Sequence, residues 1–522
     1  MRFGRASHSD RADSRRMNKP SERRSADAGL GGWWAKRTPP QRAALVFAVY
    51  LLGAGGVWLV IGNARVEGDF GAVTSDAASP SPATARLGSR PKAYWPVERE
   101  PGLVPGACTH TIPASVDRVD GDGNYAQVNP GDTLCLPAGT RGNIQFLDLH
   151  GTSDSPITIR NSGGVVVITG ATSKRGGIGV VRSSWIHISG AGISARCGAR
   201  YEPREQECGI EIEHAYNGIR IQTDGDVHNF EIDHTFVHTT ATSPEVHSTG
   251  ISIQPQRGQT ITGFYVHDNH VADIFREGLY IGSEPRDPYP TLGKLTNVDV
   301  SWNLVERTGY DGIKLKVVIA DLRVHDNVVR DTALTRYLHH ETGISLDMSA
   351  GYVYNNLVER AVEGIDSGRP LPNPGSRYFN NVVVATAEEG IWVDEDRALI
   401  FNNTVVESGG TGIKAKGTDA QIFDNVVAGS GDVSIVPQAE SDVANLTGSV
   451  ASVGFVDPLG GDYHLTARSL GRDSGRPRTY PAFDRDRVSR PQGAWTDRGA
   501  YESPGRQPVV HCRESEAESC RQ

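Results

Sequence analysis

Seven asparagines recur along the second half of the chain, at positions 269, 303, 327, 356, 381, 403 and 425, a mean interval of 26 residues. Most lie in one short pattern: VHDNHV ending at Val271, VSWNLV at Val305, VHDNVV at Val329, VYNNLV at Val358, FNNTVV at Val406 and FDNVVA at Ala428. A second pattern, Gly-Ile-x-aliphatic, alternates with it, beginning at Gly209, Gly218, Gly250, Gly278, Gly312, Gly343, Gly390 and Gly412, with a weaker copy at Gly364. A period of 20–30 residues made of short β segments, with no helical pattern between them, predicts a parallel β-solenoid, in which each turn of chain gives one rung to each of several sheets. An inward-turned Asn can bond to its counterparts in adjacent coils and satisfy backbone groups at a buried bend, so the Asn series reads as structural. A propeller would need a period near ~40 and hairpin turns, and this sequence has no hairpin spacing.

Composition and charge place the solenoid in the cell. With 60 Gly in 522 residues and many short Val/Ile runs, a helical bundle is excluded. The formal net charge of -9 divides into +7 over residues 1–42 and -16 over the rest. The bulk is acidic and has no basic tract interleaved with aromatics, which argues against nucleic acid as a partner. Residues 43–62, AALVFAVYLLGAGGVWLVIG, carry no charge and follow Lys36, Arg37 and Arg42. A helix of that length spans a hydrocarbon core, so the sequence predicts a single N-terminal transmembrane anchor, the alternative being a cleaved signal. The positive-inside rule keeps the basic tail (1–42) cytoplasmic and puts the main domain outside the inner (plasma) membrane. A Ser/Ala/Pro-rich stalk (63–105), the β-helix (106–445), a C-terminal cap (446–506) and a tail (507–522) follow. All six cysteines lie beyond the anchor, in what should be an oxidising compartment, and their spacing suggests the local pairs Cys108–Cys135, Cys197–Cys208 and Cys512–Cys520.

The segments NPGDTLCLPAGTR and GTSDSPITIRNSGGVVVITG, and the closing DYHLTARSLGRDSG with DRDRVSRPQGAWTDRGAYE, resemble bacterial right-handed parallel β-helix proteins of the pectate lyase-like superfamily, among them the alginate-lyase and chondroitinase-B-type polysaccharide lyases. The resemblance covers about residues 106–505. It implies an all-β, right-handed parallel β-helix and a polysaccharide groove on the sheet that carries the Gly-Ile motifs, and it is weakly specific for activity, because non-catalytic proteins share such coils.

In each Gly-Ile-x-Ile strand the aliphatics point inward and the intervening residues outward. Lys314, Lys316, Tyr280 and Trp392 fall on this outer face. Coils from Gly250 to Gly343 are stretched by insertions at 238–249, 282–297 and 331–342, which should carry His238, His247, Arg286, Tyr289, Arg336, Tyr337, His339 and His340 toward the same strands. The strongest constellation is Thr308-Gly-Tyr-Asp-Gly-Ile-Lys-Leu-Lys316, where two lysines crowd one strand face and crowding should lower a lysine pKa toward that of a base. The resemblance implies that Lys316 is a base and Asp311 a Ca²⁺ ligand; the family's second acidic ligand has no clear match, and Glu277, in the equivalent place one coil earlier, is the other candidate metal ligand. Lys314, Arg336 and His339 complete the candidate catalytic set, and Tyr280, Tyr310, Trp392 and His247 the candidate sugar contacts. Where these lyases carry an Arg-His pair, this chain has Ser345-Leu-Asp347.

Plainer readings stand beside these. The lysines also suit a solvated face paired with Asp311, Asp347 or Glu341, the acids suit tight turns before glycine, and the adjacent His339 and His340 suit a solvated loop. The expected function is action on an acidic polysaccharide by C5 proton abstraction, as a β-elimination lyase or an epimerase. The alternatives are a non-catalytic glycan-binding or cell-envelope scaffold, and a hydrolase using Asp347 with Asp366 or Glu363.

Overall fold

The structure, a computed structural model, describes residues 93–94, 107–169, 176–192, 194, 196–238, 248–283, 289–369, 371, 375–437, 445–475 and 479–504. The expected cytoplasmic tail, the expected anchor (43–62), the expected stalk apart from Ala93–Tyr94, His247, Arg286 and the expected Cys512–Cys520 pair lie outside the described residues. Among the described residues no helix is long and apolar enough to cross a membrane.

Eight of the nine Gly-Ile strands lie in one 12-stranded sheet in which every neighbour is parallel, from Arg118–Asp120 to Ile435–Val436, whereas the copy at Gly209, Ile210–Glu213, pairs in a neighbouring column. At ~4.8 Å between strands this stack is roughly 50 Å long. Two further columns run beside it, represented by Thr260–His267 pairing with Lys294–Ser301, and by His270–Ile274 pairing with Leu304–Thr308. Ile157–Thr169 is long enough to pair in both columns. Each coil thus gives three strands, and their inward residues, such as Ile251, Leu279, Ile313, Ile344, Ile365 and Ile391, form one continuous buried core. Burying each such side chain contributes about 1.5–3 kcal/mol.

The Asn series forms a ladder along this core. The Nδ2 of Asn269, Asn303, Asn327, Asn356, Asn381, Asn403 and Asn425 each donates to the Oδ1 of the next, at 2.9–3.1 Å, ending on Asn445. Each Oδ1 from Asn303 onward also accepts the backbone N–H of the preceding Asn, so the tight bend leaves no orphan amide. The residue before each Asn is left-handed, with φ of 50–57° at Asp268, Trp302, Asp326, Asn355, Asn380, Asn402 and Asp424. Asp and Asn tolerate that conformation best, which accounts for the DN and NN dipeptides. The Gly of Gly-Ile has a different reason. A Cβ on Gly312 would lie 2.5 Å from Val329 Cγ1 and 2.7 Å from the Gly343 carbonyl oxygen, so close approach of coils, not φ, requires glycine.

Two disulfides close where spacing predicted, Cys108–Cys135 and Cys197–Cys208. The Cys197–Cys208 segment lies over the adjoining sheet, where the Ala199 N–H donates to the Trp302 carbonyl at 2.7 Å. C-terminal residues run alongside the later coils: the Gly499 N–H donates to the Asp424 carbonyl, and Asn380 donates to the Phe483 carbonyl, each at 2.8 Å. Near this segment a stack of His325, Tyr354, Phe379, Phe401 and Phe423 runs at 4.7–5.2 Å between rings, one per coil.

Candidate functional site

Strand pairing sets the floor of the site. On the outer face of the Gly-Ile sheet, Tyr280, Lys314, Ser345, Asp366, Trp392 and Lys414 stand in register on successive coils. Lys316 pairs with Gly282 on one side and Asp347 on the other. Residues preceding the motif glycines form a third line at the sheet edge: Glu277, Asp311, Thr342, Glu363 and Glu389. Asp311 Oδ1 accepts the Thr342 N–H at 2.9 Å, and Thr342 Oγ1 donates to Glu363 at 3.4 Å, so this edge is knitted from coil to coil.

The 331–342 segment folds back over the floor. Its His339 carbonyl accepts a hydrogen bond from Lys314 Nζ at 3.0 Å, and its His340 Nδ1 stands 3.0 Å from Glu277 and 3.3 Å from Asp311. The ring of Tyr337 stacks on Tyr310 at 5.0 Å, with Arg276 4.9 Å from the Tyr310 ring. Floor and segment together enclose a cavity of about 690 Å³ lined by Lys314, Lys316, Asp347, Glu363, Asp366 and Trp392, among others.

The charges in this cavity are not equivalent. Burial alone would lower the Lys314 pKa, but Asp311 at 2.6 Å, with Asp366 and Glu277 behind it, holds it above the ordinary lysine value. Burial works to raise Asp311, and Lys314 and His340 outweigh it, so its carboxylate is held below the usual range. His340 is raised because Asp311 and Glu277 outweigh its desolvation. Burial dominates at Asp366, which is pushed up to about 7 against the pull of Lys314 and a hydrogen bond from Ser345. Glu363 reaches about 8 through burial and the neighbouring Asp366, Glu389 and Glu388. A fixed cation and two carboxyls whose pKa values are raised into the neutral range therefore share one cavity.

Several sequence expectations change at this point. The lowered pKa expected for Lys314 from crowding is not seen: desolvation lowers it, and Asp311 more than offsets that and holds the ammonium charged. Tyr280 and Tyr310 are 3% and 6% exposed and offer no ring face to a sugar: Lys316 Nζ sits 5.2 Å from the Tyr280 ring, and Tyr337 and Arg276 cover Tyr310. The His339 side chain is exposed and contributes its carbonyl, while His340 turns inward. Arg336 is exposed at the tip and does not line the cavity. Tyr289 borders a separate cavity with Tyr352 and Arg377. Lys316, 4% exposed, and Trp392 do line the site, with Lys416 4.8 Å from the Trp392 ring. The register gives Asp347 to Arg369, which donates to it through Nε at 2.7 Å, and puts Asp366 next to Ser345. Sequence reasoning placed His340 on the rim but left it out of the candidate site, and named Asp366 and Glu363 only as hydrolase carboxyls, without their raised pKa values. The acids before glycine were visible in the sequence as a line, but loop orientation and burial were not.

Glu277, Asp311 and His340 bring their ligand atoms within 4.8 Å of one another. Calcium takes a shell of oxygens. Here one donor is an imidazole, and both Asp311 oxygens are already engaged, one by the Thr342 N–H and the other by the Lys314 ammonium. This donor set does not fit Ca²⁺.

No protein-family model and no curated protein matches the chain. Solved structures do. An alginate lyase from Paenibacillus sp. str. FPU-7 is similar at 16% identity and a TM-score of 0.38, over 66% of this chain and 98% of that one. The pectate lyase Pel9A is similar at 14% and 0.40, over 74% and 97%. A lacto-N-biosidase from Eubacterium ramulus is similar at 13% and 0.42, over 65% and 68%. The fold is a parallel β-helix. That assignment stands on the chain's own parallel ladders.

Proposed function

We propose that this β-helix acts on an acidic polysaccharide by abstracting the proton at C5 of a uronate, leading to β-elimination or epimerisation. The observation that carries the reading is the pairing, in one cavity, of a fixed ammonium at Lys314 with a carboxyl at Asp366 whose pKa is about 7. The ammonium attracts the uronate carboxylate and stabilises the charge that develops on it as the C5–H bond breaks. Lys316, on the same floor and lining the same cavity, is the acceptor of that proton in this reading. In β-elimination the C5–H electron pair forms the C4=C5 bond, the C4–O bond breaks, and Asp366 gives its proton to the leaving oxygen. In epimerisation a proton returns to C5 from the opposite face. Trp392, beside Asp366 in the ladder, is the ring on this floor that a sugar can reach. The acidic rod then works outside the membrane that holds its N-terminal anchor.

A second reading has its own observation. Asp347, ion-paired with Arg369, and the protonated Asp366 form a pair of carboxyls in different states, as hydrolysis requires. Incubation with alginate, pectate and glycosaminoglycans separates the readings. Ultraviolet absorbance from an unsaturated uronate, or inverted C5 stereochemistry by NMR, supports proton abstraction. New reducing ends without unsaturation support hydrolysis. Retention of a polymer with neither change overturns both in favour of a binding scaffold.

A further inference from the structure

A second cluster lies on a different sheet from the cavity above. Ile210–Glu213 and Thr235–His238 pair in parallel, with Glu211 opposite Phe236 and Glu213 opposite His238. Ile210, Ile212, Thr235 and Val237 are wholly buried, so alternation puts Glu211, Glu213, Phe236 and His238 on the outer face. The two glutamates then turn toward His238, until one ligand atom from each of the three lies within 4.8 Å of the others. His238 Nε2 stands 2.8 Å from Glu211 Oε1, and His214 Nε2 stands 3.8 Å from Glu213 Oε2.

We infer that Glu211, Glu213 and His238 form a divalent transition-metal site of the zinc class. Two carboxylates in such proximity repel, and one imidazole supplies at most a single compensating charge. A divalent cation removes that conflict. Two carboxylate oxygens and an imidazole nitrogen suit Zn²⁺ or Mn²⁺ better than Ca²⁺. The ligands are also held in place: both strands belong to the ladder, and the Phe236 ring stacks on His238 at 4.2 Å and on His270 at 4.5 Å.

A second observation points to a ligand here. Glu211, Phe236 and His270 border a cavity of about 550 Å³, closed on its other side by Gln206 and Cys208 of the disulfide segment. His270 is 4% exposed, and its Nδ1 has no hydrogen-bond partner. The side chains of Glu211, Glu213 and His238 remain 30%, 29% and 16% exposed, so the cluster is open to solvent. Three protein ligands beside a cavity leave a coordination position free, unlike a closed structural zinc site. The other carboxylate–histidine clusters differ: Lys314 already neutralises the one at Asp311, and His187, Glu231 and Asp233 are fully buried.

The test uses the full chain, stripped by a chelator and titrated with ZnCl₂ by calorimetry, with bound zinc counted after desalting. A single saturable site is expected, weakened by ~10-fold or more in Glu213→Gln and in His238→Gln and unchanged in Glu277→Gln. Because a ligand that binds the folded state stabilises it, zinc should raise the melting temperature of the wild type and not of His238→Gln, which keeps the inference testable if one variant folds poorly. Absence of saturable binding, binding that neither variant weakens, loss through Glu277→Gln instead, or a wild type whose melting temperature ignores zinc would each overturn it.

Discussion

Lys314 Nζ donates to Asp311 Oδ2 at 2.6 Å, across three residues that join the edge turn to the floor strand, and both side chains are buried. The pair fixes an ammonium at one point of the cavity and ties the floor to the 331–342 segment through the His339 carbonyl. Asp311→Asn removes the charge but keeps the shape, leaving a buried lysine without its carboxylate. The expected loss is about 3–5 kcal/mol of unfolding free energy, as for other broken buried pairs. Urea denaturation measures it, and a loss under about 1 kcal/mol, the range of surface pairs, would show that the ammonium reaches water.

Asp366 and Lys316 should act at the chemical step. Asp366→Asn and Lys316→Ala are each expected to lower kcat by about 10²–10⁴, the usual worth of a positioned acid or base, with KM little changed. Lys314→Met should raise KM as well, because it removes the cation that meets the uronate. Steady-state kinetics on the polymer that is turned over distinguish these roles, and an Asp366→Asn variant with full kcat would remove Asp366 from the mechanism.

Raised carboxyl pKa values also set a direction for pH. The folded chain holds protons on Asp366 up to about 7 and on Glu363 up to about 8, whereas the unfolded chain releases them near the ordinary values of 3.8 and 4.5. Between those limits the folded state binds more protons, so this contribution to stability falls as pH rises from about 4 to about 8. The melting temperature of Asp366→Asn should therefore decline less steeply over that window than that of the wild type. Activity that needs the Asp366 proton should fall as pH passes about 7. His267 has the same sign in a higher window: buried, and raised to about 10 by Asp268, Glu231 and Asp233 despite desolvation, it contributes stability that is complete below its unfolded pKa of 6.5 and is lost as pH rises from there through about 10.

Asn381 sits mid-ladder. It accepts from the N–H and Nδ2 of Asn356 and donates to Asn403 Oδ1 and the Val353 carbonyl, at 2.9–3.1 Å. Asn381→Ala orphans a buried amide and a buried carbonyl at about 1–3 kcal/mol each, so a loss of about 3 kcal/mol or more is expected by chemical denaturation. Asn445→Ala, at the end of the ladder with one neighbour, should cost about half as much. Equal losses at the two positions would mean that bonding along the ladder does not accumulate.

The coil was readable because its physics is local and repeats. An aliphatic pair marks an inward strand face, a glycine marks a close approach, and an Asn after Asp or Asn marks a left-handed bend. Asn445 escaped notice because its flanks, VANLTG, lack the apolar run that follows the others. The line of acids before glycine was also present in the sequence, since Glu277, Asp311, Glu363 and Glu389 all precede motif glycines. His339 and His340 could not be told apart, because their directions depend on how the Tyr337–Tyr310 stack seats the segment.

By itself the sequence determined a parallel β-solenoid, its period, two of its disulfides, and which residues face outward from the Gly-Ile sheet. Only the tertiary structure decided which of those outward residues are dry. Tyr280, Lys314 and Lys316 share the alternation of an exposed strand face, yet each is at most 5% exposed, because neighbouring coils and a segment from the next coil cover them. Whether an outward side chain meets water, a carboxylate or a covering loop depends on residues tens of positions away. Those contacts, not the local pattern, hold Lys314 charged and Asp366 protonated.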